Sequence, residues 1–180
     1  MDTLVGNLPG LVKIRNFNKG AGMEKKTGKS SFAKLHHVGV VVKDIKKAVA
    51  YFESLGIGPF EGPGGAQFFK ISFKGELHGK PAEWTTTISN ARFGDVELEL
   101  LEPTAGPQSL KESLDKTGEG LHHVGFITDN IEREKANFKK NGIGIWTSGG
   151  AGAEFFYSDP SPVGGLAIEF RTMGPPPPKK

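Results

Sequence analysis

The chain contains no cysteine among its 180 residues. Disulfide frameworks, thiol nucleophiles and thiolate metal sites are thereby excluded, so any metal must be held by His, Asp, Glu or Gln. No stretch approaches the ~20 apolar residues of a membrane span. The opening MDTLVGNLPGLVKIRNF lacks the charged start and unbroken apolar centre of a secretory signal, and has one arginine where a transit peptide carries several. The expected compartment is the cytoplasm, with no membrane partner. Acids are scarce only in residues 1–34, where seven Lys/Arg face two Asp/Glu; the rest of the chain therefore sums to −2 although the whole is +3. A polar, Gly-rich basic leader on a mildly acidic body argues against a nucleic-acid groove in the fold. GMEKKTGKS at 22–30 imitates a phosphate loop, but five residues separate its glycines instead of four and no strand precedes it. Met23 is an alternative start, since patterned sequence begins only a dozen residues later.

What the chain does contain is a repeat. Eleven of 26 positions in LHHVGVVVKDIKKAVAYFESLGIGPF (35–60) recur 86 residues later in LHHVGFITDNIEREKANFKKNGIGIW (121–146). Each copy opens with a short β-branched stretch and two histidines, and continues into a helical pattern. Asp44 stands at the first N-cap position and Asn130 or Asp129 at the second, while Gly56 and Gly142 end the helices. The period then changes to two, predicting strands near 67–73, 84–91 and 95–102 in the first half and 143–147, 153–158 and 165–171 in the second. GPGG (62–65), FGD (93–95), SGGAG (148–152) and SDPSPVGG (158–165) read as turns. Each half is β-α-β-β-β. The expected organisation is one compact domain: leader 1–34, first module 35–102, linker 103–120 with a short helix around SLKESLDK, second module 121–172, and a polyproline tail 173–180.

Strand alternation places His37, Gly39 and Val41 on one face and His36, Val38 and Val40 on the other; the second copy sets His123 with Gly125 and Ile127. Glycine beside a histidine leaves room above that face, as a ligand or a neighbouring backbone would require. Glu97 and Glu99 point the same way in VELELLEP, and Glu169 sits between Ile168 and Phe170. A carboxylate in a strand that packs on one side is costly unless it meets a cation or a metal. Lone histidines and strand acids are commonly structural or solvated, but duplication makes a two-His, two-carboxylate set, suited to a divalent Zn, Ni, Co, Mn or Fe ion.

These motifs together resemble the vicinal oxygen chelate superfamily, which includes glyoxalase I, methylmalonyl-CoA epimerase, extradiol dioxygenases and the bleomycin and fosfomycin resistance proteins. The resemblance covers about 35–172, in the repeated H-V-G openings, E-L-L-x-P at 99–103 and the closing G-G-L-A-I-E-F. Epimerase-like and glyoxalase I-like members are most similar, because GEGLHHVGF followed by D-N-I reads like the epimerase's second module. The resemblance implies an α+β fold of two paired β-α-β-β-β modules forming an eight-stranded cup around a metal. Its ligands would be the histidine before each V-G, His37 and His123, together with Glu99 and Glu169. Four protein ligands match glyoxalases and epimerases, whereas extradiol dioxygenases use three. The implied activity is that of an isomerase, epimerase or lyase abstracting a proton α to a carbonyl of a small molecule or CoA thioester. Glu169 would be the base, and Glu83 or Glu76 a second base in the rewritten segment 61–90. Lys70, Lys74, Lys80 and Arg92 are available as cationic anchors for a CoA thioester, against the plainer reading of solvated surface. The rival readings are an extradiol-type dioxygenase and a metal-free binding or resistance protein. The family often pairs module edges, which implies a homodimer.

Overall fold

The computed structural model describes Phe32 and residues 34–174. The rest of the basic leader, Met23, the GMEKKTGKS segment and the tail from 175 lie outside the described residues. The described chain runs β1 (Leu35–Val41), α1 (Ile45–Ser54), β2 (Phe69–Leu77), β3 (Lys80–Phe93), β4 (Val96–Ala105), α2 (Ser109–Thr117), β5 (Gly120–Ile127), α3 (Ile131–Lys140), β6 (Ile145–Gly150), β7 (Glu154–Ser158) and β8 (Ala167–Arg171). This is β-α-β-β-β twice, with α2 between the copies.

Both crossover helices begin as their sequences dictate. The Asp44 side chain accepts a hydrogen bond from the Lys47 N–H at 3.1 Å, and the Asn130 side chain accepts one from the Arg133 N–H at 2.9 Å. Caps of this kind contribute about 1 kcal/mol each. Asn130, not Asp129, is the cap. Gly56 and Gly142 then take φ of 79° and 73°, a left-handed geometry that lets the chain leave the helix without strain.

The eight strands close into a barrel in the order β1-β4-β3-β2-β6-β7-β8-β5. Within each module the first strand runs parallel to the last, β1 with β4 and β5 with β8. The modules meet at two antiparallel seams, β1 with β5 and β2 with β6. Ile45 and Val49 of α1 bury against Leu98, Leu100 and Ala91, while Ile131 and Phe138 of α3 bury against Phe156 and Phe170. One face of each half-barrel is thus covered by its helix, leaving the inner face for the cup.

Two expectations change in detail. Gly149 and Gly150 belong to β6 instead of the predicted turn, which is confined to 151–153. A Cβ on Gly75 would lie 2.0 Å from the Ser148 carbonyl oxygen, and one on Gly149 would lie 2.8 Å from that of Lys74, so the glycines are what lets the β2/β6 seam close. Segment 74–83, where no strand was predicted, extends the β2/β3 hairpin to a two-residue turn at His78–Gly79, with φ of 51° and 71°. Its pattern was hidden by Gly75 and Pro81; Pro81 is tolerated because β4 pairs with β3 only from Thr85 onward.

Candidate metal centre

The seam between β1 and β5 sets the site. His37 is paired with Gly125 and Gly39 with His123, so each module's histidine lies over the other module's glycine. A Cβ on Gly125 would sit 1.9 Å from the His37 ring, and one on Gly39 2.0 Å from the His123 ring. The space that strand parity predicts above each glycine is therefore filled by a side chain of the opposite copy. Next along the barrel, Gly39 is paired with Glu99 of β4 and Gly125 with Glu169 of β8. Four donors from four strands arrive at one point by the same rule applied twice.

Their ligand atoms all lie within 4.8 Å of one another, and all four residues are buried. His37 Nε2 lies 2.5 Å from Glu169 Oε2, 3.0 Å from His123 Nε2 and 3.8 Å from Glu99 Oε2. His123 Nε2 lies 3.1 Å from Glu169 Oε2 and 3.5 Å from Glu99 Oε2. Ligands about 2.1 Å from a tetrahedral cation stand roughly 3.4 Å apart, so this spacing suits a divalent ion held by two nitrogens and two oxygens.

The electrostatics without a cation point the same way. Burial penalises charge on His123, yet hydrogen bonds and charge from Glu169 and Glu99 overcome that penalty and raise its pKa to about 9. Burial would push Glu169 up, but His37 and His123 hold it well below the ordinary carboxylate range; Glu99 is likewise lowered by the two histidines despite its burial. A proton on His123 supplies the positive charge that two buried carboxylates demand. A divalent cation would supply it more fully.

The histidines set aside by parity stand beside the candidate ligands. His36 Nδ1 lies 2.9 Å from His37 Nδ1, and His122 Nδ1 lies 3.0 Å from His123 Nδ1. Burial, then the charge on His123, lowers the His122 pKa to about 3, so its neutral Nδ1 accepts from the His123 Nδ1–H. That bond leaves the His123 Nε2 lone pair for a metal. His122 is further clamped by stacking on Trp146 at 5.3 Å and by an edge contact to Tyr157. The signal was present in the tandem H-H of both copies.

Above the centre lies a cavity of about 180 Å³, reached by Glu99 and Glu169 and walled by Phe69, Phe73, Trp84 and Phe155. Tyr157 and Arg171, neither singled out by sequence reasoning, also line it. Parity could have found Arg171, which shares the face of Glu169 two residues earlier. Burial, then the charges of Glu169 and Glu99, raises the Tyr157 hydroxyl well above its ordinary pKa, keeping it protonated.

Glu83 and Glu76 are not brought to the site. Inward positions are odd on β2 and even on β3, which sends both acids outward. Glu83 is exposed and paired with Lys74 at 3.0 Å. Lys70, Lys74, Lys80 and Arg92 are also exposed, with Arg92 held 3.2 Å from Glu97.

A barrel of paired β-α-β-β-β modules around a two-His, two-Glu cluster defines the vicinal oxygen chelate class. Residues 36–157 match the Glyoxalase/Bleomycin resistance protein/Dioxygenase superfamily, and the chain belongs to it. It is similar to YqjC, an uncharacterized protein of Bacillus subtilis, at 26% identity over 102 residues, covering 56% of this chain and 61% of that protein's length. It is 25% identical over 147 residues to the mitochondrial methylmalonyl-CoA epimerase of Bos taurus, covering 77% and 74% of the two chains. Among solved structures, a hypothetical protein of Bacillus halodurans matches with a TM-score of 0.57 and 25% identity, over 81% of this chain and 98% of that one. A Streptomyces coelicolor methylmalonyl-CoA epimerase, in complex with 2-nitronate-propionyl-CoA, shares the fold with a TM-score of 0.54 and 21% identity, over 79% and 98%. Among the described residues, no helix is long and apolar enough to cross a membrane.

Proposed function

We propose that this protein is a divalent-metal-dependent enzyme that removes a proton from the carbon next to a carbonyl, as an isomerase, epimerase or lyase. One observation carries the reading: four buried donors, two nitrogen and two oxygen, converge within 4.8 Å at the floor of a cavity. The similarity to bovine methylmalonyl-CoA epimerase over 77% of the chain supports an epimerase-like reaction.

The chemistry a bound cation supplies is Lewis acidity toward the charge that develops on the carbonyl oxygen. His37 and His123 would hold the cation as neutral ligands, each with its Nδ1 engaged by the preceding histidine. Glu99 and Glu169 balance the charge. Glu169 is ionised at neutral pH and faces the cavity, so it accepts the substrate's α-proton and returns it. The aromatic walls exclude water from the resulting anion. β3 stands diametrically across the barrel from β8, and its inward residues Trp84, Thr86, Ile88 and Asn90 include no acid or base. With Glu83 directed outward, Glu169 removes and returns the proton on one face, which fits a proton shift to the adjacent carbon, whereas inversion requires the planar anion to turn over before the proton returns.

Elemental analysis of purified protein, followed by deuterium exchange of methylmalonyl-CoA in D₂O, tests the proposal. The expected result is about one divalent ion per chain and deuterium at the α-carbon. Exchange by metal-stripped protein would contradict the mechanism. Stoichiometric metal without exchange would discard the epimerase-like substrate and leave the metal centre standing.

A further inference from the structure

We infer that Arg171 is the residue with which this cup reads its substrate, receiving a carboxylate carried by a carbonyl compound that has an apolar body. The inference rests on the metal-centred reading above and names the substrate class for that site.

Arg171 follows Glu169 by two positions on β8, shares its inward face and lines the same cavity. Its side chain is only 34% exposed, yet among the described residues the one acid within 4.0 Å is Glu99, at 3.9 Å, with Glu169 and Glu97 acting on it from farther away. That distance is too long for a hydrogen bond. A guanidinium has five N–H donors in a planar fork, and here none of them meets a protein acceptor among the described residues. A carboxylate in the cavity would satisfy two of them at once.

Charge balance demands the same partner. Two carboxylates would neutralise a divalent cation held by neutral histidines, so Arg171 is then the cation left beside the aromatic wall, the remaining acid of the lining being the exposed Glu154. An anionic substrate meets that charge, whereas a neutral one covers it without giving it a partner. Two further groups wait for a polar ligand. Among the described residues, Thr147 Oγ1 and Asn90 Oδ1 are buried without a hydrogen-bond partner, and both residues line this cavity. Thr147 is 1% exposed, so a ligand is its natural partner. Between these polar points, Phe73 is stacked on Trp84 at 5.6 Å with Phe155 edge-on to both, a surface for an aromatic or branched aliphatic group. The chemistry selected is a carboxylate at Arg171, a carbonyl oxygen toward the four-donor centre and an apolar body against the aromatic wall.

Benzoylformate and its neutral methyl ester are suitable probes, because neither has an α-proton and neither is consumed by proton abstraction. Binding is read by calorimetry and metal content by elemental analysis, on wild type, Arg171→Gln and Arg171→Lys. The acid is expected to bind wild type at least tenfold more tightly than the ester. Arg171→Gln should weaken the acid at least tenfold, leave the ester unchanged and retain metal. Arg171→Lys, which keeps the charge without the planar fork, should fall between them and serves if the glutamine variant does not fold. The inference is overturned if acid and ester bind wild type alike, if the acid does not bind, or if Arg171→Gln weakens both equally. Protein that contains no metal yet still selects the acid through Arg171 would keep the anchor and sink the metal reading. Metal-loaded protein without selection would do the reverse.

Discussion

Gly125→Ala places one methyl group at the point where the two modules share a site. The new Cβ would lie 1.9 Å from His37 Cε1, 2.3 Å from Nε2 and 2.4 Å from Nδ1, whereas ordinary contact begins at 3.4 Å. Neither side can yield easily: Gly125 is paired with both His37 and Glu169, and the His37 ring is 1% exposed. The ring must move by about 1.5 Å, while metal–ligand distances tolerate only about 0.2 Å. His37 is therefore lost as a ligand. Disturbing groups merely behind a ligand costs about 10–100-fold in metal affinity, so more than about 100-fold is expected here, with overpacking costing the fold roughly 1–3 kcal/mol. Calorimetric metal titration and thermal unfolding read the two effects separately. Gly144→Ala is the control, since its Cβ would approach Asp159 no closer than 3.5 Å, and it should leave metal affinity unchanged. Wild-type affinity in Gly125→Ala would refute the reciprocal seating of each histidine over the other module's glycine.

Other substitutions and conditions follow from the same geometry. His37→Ala and His123→Ala should each abolish metal uptake and turnover together, by elemental analysis and exchange assay; stoichiometric metal in both variants would remove the site. His122→Phe keeps the stacking surface for Trp146 but deletes the acceptor for His123 Nδ1–H, so metal affinity should drop about 10–100-fold with the fold intact by circular dichroism. In metal-free protein, the His123 pKa of about 9 lies above the unfolded value of 6.5. Its contribution to stability, up to about 3 kcal/mol, is complete below pH 6.5 and lost as pH rises through 9, so melts in chelator should fall across that window and flatten once metal displaces the proton. Glu83→Gln should leave both metal content and exchange rate at wild-type values, because the acid faces solvent against Lys74; a large loss of exchange would return it to the mechanism.

Residues near the ligands were legible because their chemistry is written locally. Asp44 and Asn130 precede helical periods, Gly56 and Gly142 follow them, and alternation in H-H-V-G separates the ligand face from the other. The β2/β3 hairpin was less legible because Gly75 and Pro81 mask its period, although each has a place in the sheet. Glu83 shows how far composition misleads: an acid in the right segment pointed the wrong way, and only the register of Lys74 opposite Glu83 assigns its face. Arg171 shows the converse, a cation at a strand end that sequence reasoning passed over and that the closed barrel sets in the lining of the cavity.

The sequence by itself determined the duplication and the strand-then-helix order, since these depend on local periods and on one pattern repeated 86 residues apart, while the family resemblance singled out His37, His123, Glu99 and Glu169 as the expected donors. Tertiary structure decided what fills the space above each glycine, that His36 and His122 stand against His37 and His123, that Glu83 and Glu76 face outward, and that Arg171 lines the cavity. The physical reason is register. Parity tells which side of its own strand a residue occupies, but what it meets there depends on the pairing of β1 with β5 and on the closure of the barrel, both made by residues distant in the chain.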